Sequence, residues 1–350
     1  MAQIDKPSLH FNTKLYTGTG SSNAITGVGF QPDFIWIKSR NNGTNNNHML
    51  FDAVRGATKY VKSDQTSAEN TLAETLKSFD SDGFTVGTQG DVNTNNINFA
   101  SWNWKAGNSA GSSNTDGNIT STVSANTTAG ISVVTWTGTG NAQTVGHGLG
   151  SAPNMIMLKE RSSTSQWQVS NDALGWTKRL NLDDTSITDT TSYIWNDTAP
   201  TNQVFSIGTS GAVSENGQTY VAYCFAEKKG FSKFGIYKGR GSQSANNKYT
   251  FTYCGFAPAF LMVKNTQQGS DNWFIWDNKR PGYNQIQKYL SPNSANAEAD
   301  SSSYAIDFLS NGFRLRSATG AINNNTEDII YMAFAENPIV GSNNVAVVAR

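Results

Sequence analysis

The chain has 350 residues, and its 26 Lys plus Arg balance 26 Asp plus Glu, so the net charge is zero. A neutral chain with no Lys/Arg run lacks the basic surface that nucleic-acid binding needs, and no apolar stretch approaches the ~18 residues of a membrane-spanning helix. Charged residues are only 15%, with 32 glycines and a bias toward Asn, Ser, Thr and aromatics; this predicts short strands joined by polar loops rather than helices.

Taken in chain order, residues 1–10 read as an N-terminal docking extension. They begin Met-Ala-Gln-Ile-Asp-Lys-Pro without the apolar core of a secretory signal, so folding in a cytoplasm is expected. A repeat unit then starts at Phe11. Each copy opens on an aromatic residue and a Gly-x-Gly turn: Tyr16 to Gly20, Trp136 to Gly140, and Tyr237 to Gly241. A Pro-led apolar run follows, from Pro32 to Lys38, from Pro153 to Lys159 and from Pro258 to Lys264, with the same Pro-to-Lys spacing in all three. These runs are continuous rather than alternating, which suits strands buried on both faces. One face would meet the opposing sheet. The other needs a neighbouring repeat, a second subunit or a covering loop.

An aspartate recurs after each run, at Asp52, Asp172 and Asp277; it is read as a turn cap, with calcium or glycan binding as the functional alternative. The segment from Thr66 to Lys77 is the one helix-like stretch, expected to form a turn or two. Asp82-Gly83, Asn216-Gly217 and Asn311-Gly312 read as hairpin turns. Closing strands follow at Phe99 to Trp104, Tyr220 to Glu227 and Tyr331 to Glu336. The expected organisation is all-β, three tandem antiparallel β-sandwich modules at 11–107, 131–230 and 231–340. A Ser/Thr/Asn/Gly-rich linker or weakly packed strand pair at 108–130 and a C-terminal tail at 341–350 complete it.

Catalytic chemistry finds little support. His10, His48 and His147 occupy non-equivalent places, and no nucleophile elbow or His-Glu-x-x-His motif occurs. Cys224 and Cys254 are too few for a disulfide framework and are expected as buried thiols. No metal, catalytic residue or cofactor is expected. The loops that differ most between copies follow the Pro-led strand, and a second variable set spans 89–98, 209–219 and 317–327. From the first set, Asn45, Asn46, Asn47, His48, Gln166, Trp167, Asn272 and Trp273 are the candidate binding residues, with Trp167 and Trp273 expected at the surface.

The repeated phrases also carry a resemblance. Tyr16–Gly20, Gly29–Phe34, Phe51–Lys59, Asp82–Phe84 and Tyr220–Glu227 resemble a repeat family common in tailed phages of marine bacteria. That resemblance implies concanavalin- or laminin-G-like sandwiches in a virion appendage of tail-fibre or spike type. It further implies docking to virion tail or capsid proteins and binding of a host surface glycan or receptor, with no transferable catalytic residues. A homotrimer is expected from the two-faced apolar strands. A capsid decoration or tail-architecture protein is the alternative, and a glycan-degrading enzyme the third reading.

Overall fold

The three apolar runs become the strands Phe34–Ser39, Met155–Glu160 and Phe256–Asn265, seen in a computed structural model that describes residues 2–42, 46–241 and 249–341. The chain is all-β. In each repeat the closing strand lies in the middle of a sheet, between the opening strand and the Pro-led strand. Asn98–Trp104 pairs antiparallel with Phe11–Thr17 and Phe34–Ser39. Thr219–Phe225 pairs likewise with Ile131–Thr137 and Met155–Glu160. Asp328–Pro338 does so with Ser232–Lys238 and Phe256–Asn265. A strand ending at the recurrent aspartate extends each sheet: Met49–Asp52, Gln168–Asn171 just before Asp172, and Phe274–Asp277.

A smaller antiparallel sheet covers one face of each large one. The alternation of side chains along a strand then splits each apolar run between two cores. Ile35 and Ile37 enter the first repeat's own sandwich core, Ile156 and Leu158 the second's, and Leu261 and Val263 the third's. The intervening residues Phe34, Trp36, Met155, Met157, Phe260 and Met262 all meet in one shared core. The closing strands add Trp102 and Trp104, Tyr223 and Phe225, and Met332 and Phe334 to it. The second faces of the three large sheets therefore cover one another, in a pseudo-threefold arrangement within a single chain.

The aromatic and Gly-x-Gly phrase has a common task. It seats a one-turn helix in each repeat, at Gly90–Asn93, Gly211–Ser214 and Gly320–Asn323. Tyr16 Oη, Trp136 Nε1 and Tyr237 Oη donate to the carbonyls of Val92, Val213 and Ile322. A Cβ on Gly18, Gly138 or Gly239 would fall 2.1, 2.4 or 1.9 Å from the backbone oxygen just past that helix. Only glycine fits there. The segments at 89–98, 209–219 and 317–327, read as variable surface loops, thus carry a common framework element, because the same aromatic and glycine contacts hold its backbone in all three copies.

Two further expectations are corrected, and one is decided between its alternatives. The helix over Thr66 to Lys77 does not form. Asn70–Thr71 pairs with Lys59–Lys62, and the Glu69 amide donates across to Arg161 of the second repeat, so strand pairing displaces a helix too short to persist alone. Of the two readings of residues 108–130, the strand pair holds and the linker does not: Ser112–Asn114 and Ser121–Asn126 add two strands to the second repeat's sheet. The docking extension is occupied by the chain itself. Ile4 enters the shared core and Gln3 exchanges hydrogen bonds with Lys229. Both cysteines are free and buried, and the tail from 342 lies outside the described residues.

Candidate functional site

Of the proposed binding residues, His48, Trp167 and Trp273 turn inward, one to each of the three junctions between repeats. Trp167 and Trp273 are 0% and 1% exposed. Trp167 Nε1 donates to the Lys62 carbonyl of the first repeat at 2.8 Å, and Trp273 Nε1 to the Asn181 carbonyl of the second at 2.8 Å. His48 is their counterpart and lies beside the Ser291 backbone of the third repeat. Burial drives its pKa well below the ordinary histidine value, so it is neutral. The expectation of surface tryptophans fails because the indole is the side chain that fills a large apolar gap and still satisfies a neighbour's carbonyl. Asn46 and Asn47 are also buried. Gln166 donates to Asp184, and Asn272 accepts from Asn293. Asn45 lies outside the described residues. The described positions are spread over three separate junctions and are not gathered into one site.

The lysines ending the Pro-led runs close the same junctions. Lys38 Nζ donates to the Ala295 carbonyl of the third repeat, Lys159 Nζ to Thr66 of the first and Lys264 Nζ to Thr185 of the second. All three are buried. Burial lowers each pKa to about 8, opposed by Asp64 and Asp91 at Lys38, by Asp183 and Glu160 at Lys159, and by Asp271 and Asp184 at Lys264. Asp64 and Asp183 are themselves pushed up to about 6 by burial. Each accepts the backbone N–H of His48 or Trp167, a place taken by Asn293 under Trp273.

The recurrent aspartates are structural at two junctions. Asp52 pairs with the buried Arg55, which also reaches Glu69 at 3.1 Å and Tyr223 of the second repeat at 3.0 Å. Asp277 pairs with Arg280 at 2.6 Å and accepts from Trp102 Nε1 of the first repeat at 3.1 Å. At the third junction the residue in the place of Tyr223 and Trp102 is Met332, which offers no donor. There the second repeat has lost the arginine, and Asp172 bonds Trp176 and Asn154 instead.

The third repeat departs from this symmetry at its surface. Its Pro-led strand continues back to Phe256 and carries register shifts at Pro258, the kind of bulge that bends a strand away from its neighbour. Beside it opens a cleft of about 260 Å³, lined among others by Pro258, Asn278, Tyr283, Phe308, Ser310 and Glu336. Tyr283 is 78% exposed. Asn278 is only 6% exposed, and neither its Oδ1 nor its Nδ2 has a hydrogen-bond partner within the chain. Among the described residues, three of the four exposed aromatic side chains belong to this repeat: Phe251, Tyr253 and Tyr283, against Tyr193 elsewhere. Sequence reading passed over Asn278 and Tyr283. The signal was the departure of Asp277-Asn-Lys-Arg-Pro-Gly-Tyr from the phrase at Asp52 and Asp172.

No group of three or more His, Cys, Asp or Glu side chains is gathered for a metal among the described residues, and no helix there is long and apolar enough to cross a membrane. Residues 6–338 match the family model described as "Domain of unknown function (DUF7483)", and the chain belongs to that family. No curated protein and no solved structure matches it.

Proposed function

We propose that this family member is a non-enzymatic phage virion protein, of tail-fibre or spike type, that attaches the particle to a host surface glycan or receptor. The observation that carries the reading is the contrast between the body and one surface. Three repeats share one core, and the third presents a cleft with the exposed Tyr283 at its opening. A constant framework offering one divergent surface is how rigid β scaffolds present binding sites. The placement on a virion rests on the resemblance of the repeated phrases.

The motive for a homotrimer changes. The second faces of the apolar strands are covered by sister repeats, so trimerisation is not needed to bury them. A solution mass near three times 37.8 kDa would restore the trimer on some other surface.

Immunogold labelling of intact virions with antibody to this chain tests the reading. Label confined to the tail is expected. Label spread over the head would replace attachment by the decoration role.

A further inference from the structure

We propose that the cleft of the third repeat is a sugar-binding site that takes one neutral hexopyranose ring bearing adjacent hydroxyls. The cleft has an apolar wall, an aromatic flank and a small set of polar groups. Pro258, Ile286 and Phe308 supply apolar contact, and Tyr283 stands exposed at the same opening. The C–H face of a pyranose stacks on such a ring, as any apolar face does.

Asn278 supplies the specificity. It stands in the wall shared with a second, smaller cleft lined by Ser8, Phe11 and Lys279. It is nine-tenths buried, with donor and acceptor both unpaired in the chain. Buried amides are nearly always satisfied, so an orphaned pair calls for a partner. Both amide atoms are closed to solvent in the observed side chain, so ligand entry requires the soft terminal torsion of Asn to turn, which sets one N–H donor and one carbonyl acceptor side by side toward the cleft. Adjacent ring hydroxyls match that pair, one donating to Oδ1 and its neighbour accepting from Nδ2. The other repeats cannot do this, since Ala53 and Ala173 occupy the position.

Size and charge narrow the class. About 260 Å³ is below the ~300–1,000 Å³ of sites for drug-sized ligands, so one ring enters and the rest of a chain lies outside. Glu336 lines the cleft, and a carboxylate there disfavours uronic or other acidic sugars. The Asn284 amide is already committed to Phe308, donating to its carbonyl at 2.7 Å and accepting its N–H at 2.9 Å. This fixes the Phe308 backbone beside Asn284.

The proposal deepens the attachment reading but does not need it: that reading supplies only the source of the sugar. The test is NMR titration of the full chain with methyl hexopyranosides of the gluco, galacto and manno series, alongside methyl glucuronide. At least one neutral glycoside should bind with a dissociation constant on the order of millimolar, as expected for so small a ligand, and the glucuronide should bind at least tenfold more weakly. Asn278→Ala and Tyr283→Ala should each weaken binding tenfold or more with an unchanged melting temperature, and Tyr193→Ala should not. If Asn278→Ala fails to fold, Tyr283→Ala, a change at an exposed side chain, decides alone. Failure of all neutral glycosides to bind, or full binding by the folded cleft variants, overturns the site. Purified chain that adsorbs to host cells regardless of these variants would overturn the cleft and leave attachment standing. Sugar binding at the cleft with head-wide immunogold label would do the reverse.

Discussion

Tyr223 and Asp52 lie 171 positions apart in the chain, and the Tyr223 hydroxyl donates to Asp52 Oδ2 at 2.9 Å in the fold. Arg55 bridges the same pair, bonding Asp52, Tyr223 and the Leu50 carbonyl from a fully buried position. The pair is the polar centre of the junction between the first and second repeats. It gives the recurrent aspartate a structural task at this junction, as Asp277 with Arg280 and Trp102 does at another.

Asp52→Ala should therefore destabilise the chain by about 3–5 kcal/mol, because it strands a buried guanidinium. The equivalent change Asp172→Ala should cost only about 1 kcal/mol or less, since that side chain is exposed and lacks an arginine partner. Denaturant unfolding of both variants checks the contrast. Equal losses would remove the structural role assigned to Asp52.

Trp167→Phe and Trp273→Phe should each cost about 1–3 kcal/mol by leaving the Lys62 or Asn181 carbonyl unpaired. Neither should alter glycoside binding at the third-repeat cleft. Thermal melts and the same NMR titration measure the two effects separately. Weaker sugar binding without a stability change would return these residues to the surface role their sequence suggested.

The junction charges give stability a definite pH profile. Lys38, Lys159 and Lys264 titrate near 8 in the folded chain, below the ordinary lysine value of 10.5. Between those values the unfolded chain holds more protons, so stability rises as pH climbs from about 8 toward 10. Asp64 and Asp183 titrate near 6 when folded, above the ordinary 3.8. The folded chain holds more protons there, so stability falls as pH rises from about 4 to 6. These five groups together give a minimum between pH 6 and 8, opposed toward pH 6.5 by the lowered His10, His48 and His147 and above about pH 9 by the raised Cys224 and Cys254 thiols. Lys159→Met should shrink the alkaline rise by roughly a third, one of three equivalent lysines, when unfolding free energy is followed from pH 7 to 10. An unchanged slope would exclude the buried lysine as its source.

Because one apolar core joins all three repeats, unfolding should be a single transition seen alike by tryptophan fluorescence and far-ultraviolet circular dichroism. Phe334→Ala, which opens the shared core at its contacts with Phe11, Trp104 and Phe260, should cost about 3–5 kcal/mol and lower one midpoint rather than split the transition. Separate transitions would mean that the repeats fold independently.

The sequence alone determined the all-β class, the recurring aromatic and Gly-x-Gly phrase, the Pro-to-Lys strands and their need for cover on both faces. These are local properties: residue type, spacing and side-chain alternation travel with the chain. The hairpin at Asp82 was legible for the same reason, and its carboxylate accepts the Gly27 and Gly29 amides. Tertiary structure alone decided what covers the second faces. Trp167 reads as a loop aromatic until a carbonyl 105 positions away meets its indole, and Trp273 until one 92 positions away does so. Local pattern carries no record of such partners. The cleft was hidden for a related reason. Asn278 is one polar residue in a polar segment, and what distinguishes it is burial without a partner, a property of the folded surroundings rather than of the residue.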